Sequence, residues 1–436
     1  MSTATPQARP AHRRLDVQGL RAIAVGSVVA YHAGLPVPGG FVGVDIFFVI
    51  SGYVITAMLA REWGRSGRIR FGQFYLRRFK RLTPALAVMV AVTVLVSAFV
   101  LSPLGPQQTA AQTGIGALLL VANAVIARTT GGYFDAPAET NALLHTWSLS
   151  VEEQFYLVFP ALLALGWAAG RRIHGRRRGA RRTAASTSVG GAPAPVGGAP
   201  APAGVAVPLV VVSLVAVVSF AAAVAGSLGY QLPRGEWLLG FYSPVTRAWE
   251  FAVGALLALA ASRLTLRGRV AGTVSGLVGL GLLAASFWMI DGHTPFPGVW
   301  ALLPVAGTAA LILAGTAADN PVSALLSRRG MVTVGDWSYS IYLWHWPAIV
   351  IATVAAPQAG PTGPMVAAAL SLLPAIGSYY LVEQPIRSRP LVPGWQLARM
   401  VGAVVAPPML LAGGAWVVAD TYWTPQVAQV DSSVAS

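Results

Sequence analysis

The stretch LDVQGLRAIAVGSVVAYH, residues 15–32, is the first strongly apolar run of the chain, and it holds both an arginine and a histidine. Arg21 and His32 are eleven residues apart in this run. An α-helix turns about 100° and rises about 1.5 Å per residue, so the two side chains lie roughly 20° apart around the axis and roughly 16 Å apart along it. They therefore share one helix face at two different depths.

An arginine inside lipid costs at least about 2.5 kcal/mol, and such residues mostly face a polar cavity or a partner. The first helix is therefore predicted to carry a polar track, with the cation of Arg21 near one membrane surface and the titratable base His32 further in. A structural alternative stays open. In that alternative Arg21 extends its guanidinium to the lipid headgroups, and His32 forms an ordinary structural hydrogen bond.

The composition is typical of a helical membrane protein. Of 436 residues, 55% are hydrophobic and only 10% are charged, and several apolar runs reach the roughly 20 residues that cross a bilayer. A net charge of +15 would suggest nucleic acid in a soluble protein, but here it reflects topology, and we expect no nucleic-acid partner. The absence of cysteine excludes disulfides, thiolate metal ligands and a cysteine nucleophile.

The hydropathy pattern predicts an all-α polytopic membrane protein with about 11 transmembrane helices plus one short re-entrant or interfacial segment. The short segment, residues 114–127, has only 14 residues. The predicted spans are residues 16–35, 43–60, 84–101, 147–169, 205–228, 245–262, 270–290, 300–316, 337–356, 365–381 and 397–418.

The distribution of basic residues predicts the orientation of the chain. If the amino terminus is cytoplasmic and residues 114–127 do not cross, 26 of the 30 Lys and Arg residues lie on the cytoplasmic side, as the positive-inside rule requires. If that segment did cross, 15 of these residues would move outside. We therefore expect a cytoplasmic amino terminus and an extracytoplasmic carboxyl terminus.

The chain is organised around one membrane domain, residues 15–390. A cytoplasmic arm, residues 1–14, precedes it, and an additional span, residues 391–420, leads to an extracytoplasmic tail, residues 421–436. Within the domain, residues 171–206 pass from an Arg-rich segment into an Ala/Pro/Gly tract. Because such a composition cannot bury a core, we predict a disordered cytoplasmic insert there.

Three acidic residues are candidates to orient an imidazole. Asp45 enters the second predicted span close to the level at which His32 leaves the first, and a carboxylate there could charge-stabilise the ring. A helix cap at the membrane interface is the structural alternative. Glu152 and Glu153 lie together at the entrance of the fourth span, where paired carboxylates are costly unless they are used or paired.

Two later spans carry further polar pairs. In the ninth span His345 follows Tyr342 by three residues, so the two side chains share a helix face. His345 is therefore a second candidate catalytic residue. In the sixth span Arg247 and Glu250 have the same spacing, which most simply predicts a structural ion pair.

The segment RRFKRLTP carries Arg77, Arg78, Lys80 and Arg81 just before the third span. Guanidinium groups match phosphate oxygens by bidentate hydrogen bonds. Four cations in five positions therefore predict a site for a pyrophosphate-bearing cytosolic ligand. Ordinary positive-inside residues are the alternative.

Six motifs occur in an order that resembles the membrane-bound acyltransferase-3 family: GLRAIAV…YHAG, GGFVGVDIFFVISGYVIT, RRFKRLTP, LLHTWSLSVEEQFY, SYSIYLWHWP and LVEQPIR. The resemblance covers residues 15–389. It implies an O-acyltransferase of the bacterial cell membrane that moves an acyl group, normally acetyl, from cytosolic acyl-CoA to a hydroxyl outside. It also implies a carbohydrate or glycolipid acceptor beside membrane lipid, and acyl-CoA as donor without a metal.

By position in the motifs, Arg21 and His32 match the essential Arg–His pair of that family. Arg77, Arg78 and Arg81 match its cytoplasmic arginine motif. The subgroup with these motifs often continues into an SGNH-type domain, which is not found in the printed sequence. We therefore expect a separate extracytoplasmic SGNH-type transferase as a partner. Within the resemblance, His32 is either a general base or the carrier of the acyl group.

A transporter or flippase for an anionic or sugar-containing lipid is the competing function, because it would also need buried Arg, His and Glu residues. Binding of acyl-CoA distinguishes the two. A membrane scaffold is a third possibility, but it leaves the embedded charges unexplained.

Overall fold

The computed structural model describes residues 13–129, 139–186, 205–233, 236–390, 395–424 and 426, and the fold is all-α within these ranges. The longer helices are α1 (Leu15–His32), α2 (Gly43–Ser66), α3 (Phe71–Val100), α4 (Gln108–Leu118), α5 (Ala122–Thr129), α6 (Thr146–Ser186), α7 (Ala206–Ser227), α8 (Pro244–Leu259), α9 (Arg269–Met289) and α10 (Leu302–Ala314). They are followed by α11 (Pro321–Leu326), α12 (Arg329–Ala355), α13 (Thr362–Leu370), α14 (Leu372–Ser378), α15 (Gln384–Ser388) and α16 (Trp395–Val418).

The all-α polytopic class is confirmed. Each of the eleven predicted spans falls on a helical segment, and seven helices of the described ranges are long and apolar enough to cross a membrane. The helices α1, α8, α10 and α12, which also carry predicted spans, are not among these seven. α8 and α10 are short, with 16 and 13 residues, whereas α1 and α12 hold Arg21, His32 and His345, whose polarity lowers the mean hydropathy.

The predicted re-entrant segment is two short helices, α4 and α5, separated by a turn. Leu120 in this turn has a positive φ of 63°, a conformation that interrupts a helix. α4 packs on α3 and α16, and α5 packs on α6. The segment is thus a broken helix covered by protein, as non-helical backbone within a membrane protein must be.

Helix α6 is longer than the predicted fourth span. It continues from Thr146 to Ser186, through the Arg-rich part of the predicted insert. Arginine and alanine have high helix propensity, so a run of them extends a helix that the membrane span has already nucleated. The remainder of the predicted insert, residues 187–204, lies outside the described residues, as do residues 1–12 of the predicted arm and most of the predicted tail.

Helix α2 is central and α16 is peripheral. In the apolar windows of these segments, 72% of the residues of Gly40–Ser66 are buried, against 11% for Ala398–Trp423. α2 packs closely on α8, and α1 packs on α12. The contact between α2 and α8 depends on two glycines: a Cβ on Gly52 would lie 1.9 Å from the Phe251 carbonyl oxygen, and one on Gly254 would lie 1.9 Å from that of Val49. Small residues allow such backbone approach in membrane proteins.

Candidate active site

Two histidines meet where α1 ends. Nδ1 of His32 lies 2.9 Å from Nε2 of His345 in α12, and the two rings meet edge to edge, with planes inclined by only 17° and centroids 5.2 Å apart. Nδ1 of His345 lies 2.7 Å from the carbonyl oxygen of Tyr342. Trp346 packs against the His32 ring, with centroids 4.5 Å apart. Because α1 and α12 pack along each other, the shared face predicted for Tyr342 and His345 is turned towards α1.

His32 lines a cavity of about 490 Å³ at this end of α1. The wall combines aromatic and aliphatic side chains with the polar residues Glu139 and Thr140. Such a mixture of apolar surface and a few polar groups is typical of a small-molecule site. The cavity is therefore a candidate binding site beside a titratable ring.

A layer of closely packed polar residues lies between this cavity and the other half of α1. The Ser148 and Tyr342 hydroxyls are 2.7 Å apart, and Tyr342 donates to the carbonyl of His145 at 3.1 Å. The His145 ring packs against those of Tyr342 and His345, with centroids 5.5 and 5.6 Å away. This layer, Ser148, His145 and Tyr342, we call the septum.

On the other side of the septum two cavities share Leu149, Glu152 and Tyr339 in their walls. One, of about 40 Å³, is lined by Arg21 together with Ser148 and Tyr342 of the septum. The other, of about 200 Å³, is lined by Arg78, Glu152 and Glu153. Arg21 and His32 thus border cavities on opposite sides of the septum, in agreement with the two depths predicted from their spacing.

Arginines converge around the smaller pair of cavities. Arg78 donates to Glu153 at 2.8 Å and lies 3.3 Å from the centre of the Tyr156 ring. Arg81 is subject to Coulomb repulsion from Arg21 and Arg78. The Nε atoms of Arg78 and Arg81 are buried and have no hydrogen-bond partner among the described residues. Buried guanidinium donors left open in this way are suited to an anion.

Arg77 does not belong to this cluster, contrary to the sequence prediction. Its side chain is exposed, because consecutive residues of a helix point about 100° apart and Arg78 is the one that faces inward. Lys80 is also separate: it is buried and donates to the carbonyl of Arg389. The four adjacent cations therefore divide into an inward pair, Arg78 and Arg81, and two residues with other surroundings.

The structure gives each of the three candidate acids a contact other than His32. Glu152 accepts from Ser51 and Tyr156, and Glu153 accepts from Arg78. Both line the cavity of the arginines, so they lie on the arginine side of the septum and away from the His32 imidazole.

Asp45 also differs from its predicted role. Its carboxylate lies 3.0 Å from Nη1 of Arg247, which is 3.1 Å from Glu250. The predicted Arg247–Glu250 pair thus forms and includes Asp45, because α2 presents Asp45 to α8. His345 is the residue that lies beside His32 in the structure. The sequence did not predict this contact, which joins residues 313 positions apart in the chain.

Comparisons with known proteins agree that the chain is similar to acyltransferases. Residues 14–383 match the acyltransferase-3 family, described as an acyltransferase domain. The chain is 30% identical over 390 residues to a Bacillus subtilis (strain 168) protein provisionally named a peptidoglycan O-acetyltransferase, covering 87% of this chain and 56% of that protein. It is 29% identical over 392 residues to the peptidoglycan O-acetyltransferase of Listeria monocytogenes, covering 85% and 55%.

A third relative is closer in length. The chain is 32% identical over 394 residues to a protein of Komagataeibacter xylinus provisionally named a membrane-bound transacylase, covering 86% of this chain and 83% of that protein. The chain therefore spans little more than half the length of the two peptidoglycan O-acetyltransferases and most of the length of the transacylase. No solved structure matches it.

Proposed function

The chain belongs to the membrane-bound acyltransferase-3 family, and on that premise we propose that it transfers an acetyl group from cytosolic acetyl-CoA to a hydroxyl of a cell-envelope carbohydrate outside the membrane. One observation carries the proposal. Cavities on opposite sides of one septum are lined by the half-buried Arg21 and Arg78 on one side and by His32 on the other. This arrangement provides separate places for an anionic donor and a hydroxyl acceptor along a single helix.

The arginines are the proposed donor site. Arg78 and Arg81 have buried Nε donors without a partner among the residues that the structure describes, and the CoA phosphates are anions that a guanidinium binds by paired hydrogen bonds. Glu153 holds Arg78 in place through its 2.8 Å hydrogen bond. Arg21, whose Nε donates to Ser338 at 3.1 Å, lies deeper along the same path and positions the donor chain below the septum.

The acyl group has to travel from the arginines to His32. An extended pantetheine arm reaches about 15–20 Å by bond geometry, and the eleven residues between Arg21 and His32 span roughly 16 Å of helix. The lengths match. The arm would cross the septum, so the hydrogen bond between Ser148 and Tyr342 has to open during the reaction.

His32 acts on the acceptor hydroxyl in this proposal. The hydroxyl oxygen attacks the thioester carbonyl carbon, its proton passes to His32, and the carbon–sulfur bond breaks. The CoA thiolate then takes that proton and leaves as the free thiol. The alternative is that His32 first receives the acetyl group on a ring nitrogen and then passes it to the hydroxyl. Both routes place the chemistry at the cavity of about 490 Å³.

Peptidoglycan is the first acceptor to test, because two relatives are named as peptidoglycan O-acetyltransferases. Purified protein in proteoliposomes should transfer labelled acetyl from acetyl-CoA to a muropeptide or a soluble glycan, and isothermal titration should detect acetyl-CoA binding. A matched sample carrying His32→Ala is the control for transfer. A protein that binds no acetyl-CoA but moves lipid-linked sugars between leaflets would be a transporter, and that result would overturn the proposal.

A further inference from the structure

We infer that His345 is a positioning residue that holds His32 as the Nδ1–H tautomer, so that Nε2 of His32 is the basic nitrogen. The inference rests on the proposed function and deepens it by naming the atom that takes the proton. It follows from the direction of two consecutive hydrogen bonds, from Tyr342 through His345 to His32.

The direction is set at a backbone carbonyl. Nδ1 of His345 lies 2.7 Å from the carbonyl oxygen of Tyr342, and a carbonyl oxygen accepts hydrogen bonds but cannot donate them. Nδ1 of His345 must therefore carry a hydrogen. In a neutral imidazole one nitrogen donates and the other accepts, so Nε2 of His345 is a lone-pair acceptor.

The second bond passes the constraint to His32. Its Nδ1 lies 2.9 Å from that acceptor nitrogen of His345, so Nδ1 of His32 must be the donor. The neutral His32 ring then carries its hydrogen on Nδ1 and its lone pair on Nε2. A lone pair on Nε2 is what a general base, or an acyl-carrying nucleophile, requires in the proposed mechanism.

Close packing holds the His345 ring in one orientation. His345 is fully buried, 0% exposed, in the segment His345–Trp346–Pro347 of α12. Its ring contacts the rings of His32, His145 and Tyr342, with centroids 5.2 to 5.6 Å away. A ring enclosed on these sides cannot turn over without repacking, so the polarity of the hydrogen-bond chain is maintained.

Protonation does not break the chain. When Nε2 of His32 takes the acceptor proton, both of its nitrogens become donors, and Nδ1–H still faces the lone pair of His345. In the serine-protease triad a carboxylate fixes the tautomer of the catalytic histidine, and a substitution that imposes the wrong tautomer lowers kcat about 10⁴-fold. Here a neutral ring performs the same orienting role.

Two substitutions separate the orienting role from packing. His345→Leu keeps an apolar side chain of moderate size but removes the acceptor, and we expect kcat to fall about 10²- to 10⁴-fold while KM for acetyl-CoA stays within about twofold, because the donor site is across the septum. His345→Gln restores a carbonyl oxygen that accepts from Nδ1–H of His32. The kcat of His345→Gln should therefore be at least about tenfold higher than that of His345→Leu. His293→Leu, at an exposed loop histidine, is the matched control.

The tautomer itself can be measured without activity. The chain has 6 histidines, so the signals of His32 have to be identified by comparing ¹⁵N-histidine NMR spectra of the unaltered protein and of His32→Ala in bilayers. The signals that the variant lacks should be those of an Nδ1–H imidazole. An Nε2–H form of His32, or His345→Leu with kcat within about threefold of the unaltered protein, would overturn the inference. If His345→Leu does not fold, the NMR spectrum and the kcat of His345→Gln still test whether His345 fixes the tautomer of His32. Failure of the unaltered protein to bind acetyl-CoA or to transfer acetyl would instead defeat the proposed function, so the two failures are distinguishable.

Discussion

Nη1 of Arg247 lies 3.0 Å from Oδ1 of Asp45, and each side chain is only 1% exposed. This ion pair joins α8 to α2 at the centre of the bundle. Removing one partner of a buried pair leaves an uncompensated charge and costs about 3–5 kcal/mol.

Arg247→Ala is therefore expected to lower the free energy of unfolding by about 3–5 kcal/mol, measured by denaturant unfolding in detergent. The matched control is Arg13→Ala, which removes the partner of Asp336 in an ion pair where Arg13 is 53% exposed and which should cost less than about 1 kcal/mol. A loss for Arg247→Ala below about 1 kcal/mol, the range expected for the control, would show that the buried pair does not stabilise the fold.

Close packing of α2 on α8 makes Gly52 intolerant of a side chain. Since a Cβ there would lie 1.9 Å from a carbonyl oxygen of α8, Gly52→Ala should destabilise the protein by about 1–3 kcal/mol. At Gly64 on the same helix, a new Cβ would meet no atom within 4 Å from the described residues beyond the helix's own backbone, so Gly64→Ala should stabilise by up to about 1 kcal/mol. Thermal unfolding of both variants measures the difference, and an unchanged midpoint for Gly52→Ala would contradict the packing.

The inward and outward arginines of α3 should behave differently towards the donor. Arg78→Gln and Arg81→Gln each lose a charged hydrogen-bond donor worth about 1.5–3 kcal/mol, so the Kd for acetyl-CoA should rise about ten- to 100-fold. Arg77→Gln, at the exposed neighbour, should change it less than about twofold. Isothermal titration in nanodiscs measures the Kd of the three variants for acetyl-CoA. If Arg77→Gln raises the Kd as much as the other two, Arg77 also belongs to the donor site.

Substitutions of Arg21 and His32 should impair different steps of the reaction, because the two residues border cavities on opposite sides of the septum. His32→Ala should keep acetyl-CoA binding and lose transfer by about 10² to 10⁴. Arg21→Ala should instead weaken donor binding, and Arg21→Lys should rescue it in part, as a point charge without the planar fork. If His32→Ala keeps more than about a tenth of normal transfer, neither catalytic role of that residue survives.

Cysteine labelling tests the predicted orientation, since the chain has no native cysteine. Ser186→Cys should be protected from an impermeant maleimide in intact cells, because the positive-inside rule assigns its Arg-rich neighbourhood to the cytoplasm. Ser433→Cys should react, because an odd number of predicted spans separates the two positions. Reaction at both sites, or at neither, would rule out that topology.

The sequence by itself determined the elements of the fold. Apolar runs long enough to cross a bilayer are a local property, and each of the eleven lies on a helix. The two depths of Arg21 and His32, and the shared face of Tyr342 and His345, were also predictable, because the geometry of one helix decides them.

Only the tertiary structure decided which charges meet. Asp45 contacts Arg247 and not His32, Arg77 points outward, and His345 approaches His32 across 313 residues of chain. Helical periodicity assigns a side chain to a face but not to a neighbouring helix. That choice depends on how α1, α2, α8 and α12 rotate as their small residues pack, and an angular difference of a few tens of degrees decides whether a buried imidazole faces a carboxylate or a second imidazole.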